Sequence, residues 1–139
     1  MAREKRERVF VDTNVFLRFL TGDDPEKAQK CRALFERAQR GELELHLSSL
    51  VLAELAWTLR SYYRRPREDI AGTLEQILEM RSVRIPHKGT LRDAVASFAQ
   101  YNVDFVDAYH AAEIRRRQIR RIYSYDEDFD RLHVRRDEP

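Results

Sequence analysis

The chain has 139 residues, 26 of them basic and 24 acidic, so the formal net charge is only +2 and bulk charge selects no class of partner. A single cysteine, Cys31, excludes an internal disulfide and any zinc site built from several thiolates; no stretch resembles a signal peptide or approaches the ~20 apolar residues of a membrane span, so a cytosolic protein is expected. A length of 139 residues predicts one domain over residues 1–139, and a charged fraction of 36% against a typical ~25% predicts a densely charged surface, with a charged extension over residues 1–8.

Val9-Phe10-Val11 predicts a buried strand. It runs into Asp12-Thr13-Asn14, which is turn and helix-cap chemistry. Asp12 therefore either caps the next helix or faces the crevice beyond the carboxyl ends of the strands, where ligands gather in parallel α/β sheets. Val15 to Leu20 reads as a short buried helix stopped by Thr21-Gly22. Asp23-Asp24-Pro25-Glu26 opens another, with a capping aspartate, proline at the first helical position and acids in the first turn. Its core face is Ala28, Cys31, Leu34, Phe35 and Ala38, and Gly41 is placed to end it. Leu43, Leu45 and Leu47 alternate with Glu44 and His46, the pattern of a strand with one fully buried face; His46 is expected to be a surface partner.

Ser48-Ser49 caps a helix that is apolar nearly all the way round from Leu50 to Leu59, except at Glu54. Helical neighbours of Glu54 are Leu50, Val51, Trp57 and Thr58, while Leu52, Leu55, Ala56 and Leu59 occupy the other side, so no water-facing side is evident. A carboxylate placed this way needs a cation, a metal or hydrogen bonds to compensate it, and a structural salt bridge to an arginine would suffice. Pro66 and Glu68-Asp69 begin a helix with Ile70, Leu74, Ile77 and Leu78 inward; Val83 to Pro86 is a short strand, and Leu91, Ala94, Val95 and Phe98 mark the helix after it.

Asp104 and Asp107 lie three apart at the start of a further helix running through Ala108 to Ile114, near its positive end; an N-cap and a first-turn acid would look the same. Arg121 to Ser124 is a strand that again delivers an acid, Asp126, at its carboxyl end. Leu132 and Val134 are candidates for a final edge strand. Basic residues cluster at Arg3 to Arg8, Tyr62 to Arg67 and Arg115 to Arg121, and each cluster serves either to follow a phosphate backbone or simply as a solvated helix face or end.

The alternation of strand and helix signals predicts a three-layer α/β/α domain with a mostly parallel sheet. That topology would gather Asp12, Glu54, Asp126 and either Asp104 or Asp107. Four carboxylates in one cleft require divalent cations or protons. All-oxygen donors without thiolates favour a hard ion, Mg²⁺ or Mn²⁺.

The segments Val11-Asp12-Thr13-Asn14, Ser48 to Leu55, Asp104-Phe105-Val106-Asp107-Ala108 and Tyr125-Asp126-Glu127-Asp128-Phe129, in that order across essentially the whole chain, resemble a PIN domain of the VapC toxin type. The resemblance implies a five-stranded parallel sheet, a homodimer, a VapB-type antitoxin that blocks the site, and a metal-dependent ribonuclease. It places the acidic quartet, catalytic and metal-binding, on Asp12, Glu54, Asp107 and Asp126. Asp104 and Asp128 match accessory acids, and Asn14 and Ser124 match polar residues that orient the quartet or its waters; Ser124 stands where the family often has Thr. The expected reaction is hydrolysis of an RNA phosphodiester by a metal-activated water, with Arg64, Arg65 and Arg116 as candidate contacts to the RNA backbone and Tyr62 and Tyr63 as candidate base-stacking, core or dimer residues.

A haloacid-dehalogenase-type phosphatase would need a second acid at position 14, which is asparagine. A phosphoacceptor receiver domain would need a lysine after the last strand, where Arg135 and Arg136 stand. The rival from another class is a non-catalytic PIN-like module that binds RNA or a partner and uses its acids only for structure or docking.

Overall fold

The Leu43, Leu45, Leu47 alternation becomes the middle of a parallel sheet, and the rest of its unit is arranged around it. The computed structural model describes residues 6–139, so residues 1–5 of the basic N-terminal run lie outside the described residues. In chain order the elements are β1 (Glu7–Phe10), α1 (Thr13–Thr21), α2 (Pro25–Gln39), β2 (Leu43–His46), α3 (Ser49–Ser61), α4 (Arg67–Glu79), β3 (Val83–Arg84), α5 (Lys88–Gln100), α6 (Phe105–Arg116), β4 (Ile122–Tyr123), a 3₁₀ turn (Glu127–Arg131) and β5 (Arg136–Asp137). They fall into two compact units, one comprising residues up to Leu55 with Ile77–Pro86, the other Ala56–Gln76 with His87–Pro139.

In the first unit the strand order is β1-β2-β3, all parallel, with Glu7 opposite Leu43 and Phe10 opposite His46. Leu43, Leu45 and Leu47 are buried, while Glu44 and His46 pair with each other at 2.7 Å on the other face, which holds the Glu44 carboxyl below the usual range. β1 starts at Glu7, inside the stretch expected as a charged extension, and is less buried than its composition predicts. Only Val11 beyond its end is fully enclosed, and Phe10, the last residue of the strand, is 64% exposed. α1 ends as expected at Gly22, which takes the left-handed conformation (φ 64°) and donates its N–H to the Arg18 carbonyl. α2 is capped by Asp24, whose carboxylate accepts from the Lys27 N–H at 3.1 Å, but of its predicted core face only Phe35 and Ala38 are fully buried.

In the second unit α5 packs on α6, and the predicted apolar faces of α4 and α5, led by Ile70, Leu74, Leu91 and Phe98, are its core. Helix α6 brings Ala108, Ala111 and Ala112 to the contact, small residues that permit close approach. β4 pairs with β5 in parallel, Ile122 opposite Arg136. The single five-stranded sheet is therefore not formed: the five strands divide into a three-stranded and a two-stranded sheet. Strands β3, β4 and β5 are two residues long and offer too few backbone groups for an extended ladder. The last strand also lies later than expected, at Arg136–Asp137, because Leu132 is buried as an anchor just after the 3₁₀ turn instead of pairing in a sheet. Among the described residues no helix is long and apolar enough to cross a membrane.

Candidate active site

In the first unit the acid at the end of β1 does cap a helix. Asp12 is the N-cap of α1 in extended conformation, and its Oδ1 accepts from the Thr13 N–H at 2.7 Å. Thr13 is buried, and its hydroxyl donates to Glu54 Oε2 at 3.2 Å. One residue thus holds both acids, its amide on Asp12 and its hydroxyl on Glu54. Sequence reasoning treated Thr13 only as turn chemistry. The available signal was a hydroxyl directly behind a strand-end acid, because a buried hydroxyl must find an acceptor. Asn14, next along α1, is exposed.

Glu54 corrects one expectation. It is exposed, not enclosed by an apolar helix, because its neighbours one turn before and after, Leu50 and Trp57, also face water at 76% and 67% exposure. The helical pattern of α3 identified apolar neighbours correctly but not which of its faces is covered. Exposed to water and bonded by the Thr13 hydroxyl, the Glu54 carboxylate does not need the arginine salt bridge that would have sufficed for a buried one.

In the second unit α6 begins after Asp104, which stands at the N-cap position without a side-chain cap bond and lies 3.9 Å from Arg60. Asp107 is in the first turn. From the end of β4, the Ser124 hydroxyl oxygen accepts from the Asp126 N–H at 3.0 Å, and Asp126 Oδ1 accepts from the Asp128 N–H at 2.9 Å as the cap of the 3₁₀ turn. This folding of the chain brings oxygens of Asp107, Asp126 and Asp128 within 4.8 Å of one another. The Asp107 carboxyl is pushed up to about 6, first by burial, then by the charges of Asp126 and Asp104 and a hydrogen bond to Asp126, with His110 acting weakly the other way. Asp128, expected as an accessory acid, is thus a full member of the cluster.

A hard divalent cation fits this donor set. The three donors are carboxylate oxygens with no thiolate or imidazole among them, the ligand type that Mg²⁺ and Mn²⁺ prefer. A proton on Asp107 and a cation compete for the same charge. Cation binding is therefore expected to weaken by about tenfold for each pH unit below 6. Mn²⁺ titrations at pH 5 and pH 7 check this, and equal affinities at the two values would contradict it.

Of the arginines considered for RNA, Arg64 and Arg65 are exposed, with Arg64 in the left-handed region at φ 53°. Arg116 is engaged within the unit: its Nε donates to Asp93 at 2.7 Å, and its guanidinium lies so close over Gly89 that a Cβ there would stand 2.8 Å from Nη1. Tyr62 is exposed and meets Tyr63 edge-on, ring centroids 4.9 Å apart.

A family model described as PIN domain matches residues 9–134. The chain is similar to a VapC ribonuclease of Aquifex aeolicus (strain VF5), 29% identical over 123 residues that cover 88% of this chain and 90% of the relative. No solved structure matches the chain.

Proposed function

The chain belongs to the PIN domain family, and from that premise we propose that it is a Mg²⁺- or Mn²⁺-dependent endoribonuclease, the toxin of a type II toxin–antitoxin pair. The observation that carries this reading is the convergence of Asp107, Asp126 and Asp128, where burial first, and then the charges of Asp126 and Asp104, raise the Asp107 carboxyl to about 6. Perturbed carboxylates grouped in this way are a mark of functional sites. Similarity to a protein named VapC ribonuclease supports RNA as the substrate. The span of the family match, which takes in residues of both compact units, supports treating the chain as one PIN domain.

In this reading Asp12, Glu54, Asp107 and Asp126 serve one reaction. Asp107 and Asp126 would hold the cation, with Asp128 beside them, and the family resemblance assigns Asp12 as a further ligand. Thr13 orients Asp12 through its amide and Glu54 through its hydroxyl, so that Glu54 either ligates or aligns the attacking water. Ser124 fixes the backbone of Asp126. The chemistry a bound Mg²⁺ or Mn²⁺ supplies is a lowered pKa for the attacking water, screening of the phosphate from the carboxylates, and stabilisation of charge on the leaving sugar oxygen. Arg64 and Arg65 are candidates for positioning the RNA backbone.

A cytoplasmic location, a homodimer and a VapB-type antitoxin belong to the same proposal. Exposed Leu50 and Trp57 on α3 support a surface that a protein partner covers, since large apolar side chains grouped in water mark interaction sites. The same residues favour the alternative of a non-catalytic, partner-binding PIN-like module.

Cleavage separates the two. Purified protein is incubated with a mixed RNA pool in Mg²⁺, Mn²⁺ or EDTA, beside an Asp12→Asn variant prepared identically to exclude a contaminating nuclease. Divalent-dependent cleavage by the wild type alone is the expected result. Intact RNA in every lane, with both proteins folded and free of copurified antitoxin, would leave the binding module as the better account.

A further inference from the structure

The turn that leads into α6 is gripped by two arginines. Arg67 donates to the Val103 carbonyl at 2.7 Å, the Phe98 carbonyl at 3.0 Å and Asn102 Oδ1 at 3.0 Å, with its guanidinium carbon 4.4 Å from the centre of the Phe98 ring. Arg131, at the end of the 3₁₀ turn, donates from Nη2 to the Asn102 carbonyl at 3.2 Å and also to the Asp128 carboxylate. An Asp–Arg pair three residues apart on the surface contributes little by itself, typically about 0–1 kcal/mol. The second bond changes its meaning, because it reaches a carbonyl 29 residues away in the chain. Asn102 lies just before Asp104 and Asp107, whereas Asp128 is bonded through its amide to Asp126. Arg131 therefore joins the segment that carries Asp126 and Asp128 to the segment that carries Asp107.

We propose that Arg131 is the positioning residue of the acidic centre: by tying Asp128 to the Asn102 carbonyl it holds the 3₁₀ turn against the start of α6, so that Asp107, Asp126 and Asp128 stand together before a divalent cation arrives. This rests on the reading of those acids as a cation site. Charge and position make opposite demands here. As a charge, Arg131 repels an incoming cation, and its removal should tighten binding. As a positioning group, it preassembles the ligands, and its removal should loosen binding, as loss of supporting contacts around a metal usually does.

The test is Mn²⁺ binding to the full chain, read as free Mn²⁺ by electron paramagnetic resonance, for wild type, Arg131→Gln and Arg131→Lys. Far-ultraviolet circular dichroism and a thermal melt confirm that each variant is folded. We expect Arg131→Gln to raise the Mn²⁺ dissociation constant roughly 10–100-fold. Arg131→Lys, which keeps the charge but replaces a planar fork by a single point donor, should raise it in the same direction. Unchanged or tighter binding in Arg131→Gln, or wild-type affinity in Arg131→Lys, overturns the assignment. If the wild type itself takes up no Mn²⁺ at millimolar concentration, the cation reading of the acids falls together with it, whereas tight wild-type binding with unaffected variants removes the role of Arg131 alone.

Discussion

Replacing Asp107 by Asn is expected to lower RNA cleavage by roughly 10²–10³-fold or more, the scale of deleting one preorganised charged group from a reacting centre, while making the metal-free protein more stable at pH 7. The two effects have one cause. Asp107 has a carboxyl raised from 3.8 to about 6 in the fold, so the folded chain holds its proton more tightly than the unfolded chain does. Between these values the folded state binds more protons, and stability falls as pH rises from about 4 to about 6; above 6 the penalty is constant. A shift of this size corresponds to roughly 3 kcal/mol, but Asp107 is only partly buried and solvent screens it, so a gain of about 1 kcal/mol for Asp107→Asn at pH 7 is the reasonable expectation. At pH 4 the gain should vanish. Asp126→Asn should behave similarly, because it removes one of the charges that raise Asp107 yet keeps an oxygen to accept from the Asp128 N–H. Thermal melts in EDTA at pH 4 and 7, run beside the cleavage assay, decide the matter. Variants that lose both activity and metal-free stability would show these acids to be structural.

Phe98→Ala should cost 3–5 kcal/mol, the usual range for truncating a fully enclosed aromatic, and lower the melting temperature by about ten degrees or more. Phe98 is buried, its ring stands 6.0 Å from that of Phe105 in an edge-on arrangement, and the Arg67 guanidinium carbon lies 4.4 Å from its centre. Truncation leaves a cavity between α5 and α6 and takes away the surface on which Arg67 rests, loosening the turn before Asp107. Phe98→Leu, which conserves most of the volume, should cost about 1.5 kcal/mol or less. Chemical denaturation of both variants measures the difference. A loss below 1 kcal/mol for Phe98→Ala would mean that the α5–α6 contact is not what holds this unit together.

Much of this was legible without coordinates because it is local. Ile70, Leu74, Leu91 and Phe98 recur at helical spacing and are buried on α4 and α5. Asp24 and Pro25 open α2, and Gly22 closes α1, each through backbone geometry that a few neighbouring residues dictate. Asp12 and Asp126 each follow a strand, as the apolar residues before them predict, and Asp12 takes the capping role, one of the two readings its position allows.

Other features depended on contacts that no local pattern encodes. Periodicity tells which residues share a face of α3 but not whether that face is covered, so Glu54 was read as enclosed when it stands in water between Leu50 and Trp57. β-propensity announces strands but not their partners, so an expected five-stranded sheet became two smaller ones. Asp128 looked secondary to Asp126 until the 3₁₀ turn swung its carboxylate toward Asp107. Thr13 and Arg131 were invisible as organising residues because each acts through a partner 41 or 29 residues away. The sequence by itself determined the helices, the caps at Gly22 and Asp24 and the acids at the strand ends, since these follow from neighbours within one or two turns. Only the tertiary structure decided which carboxylates meet and how firmly Asp107 holds its proton, because burial and neighbouring charges act through distance in space, not separation along the chain.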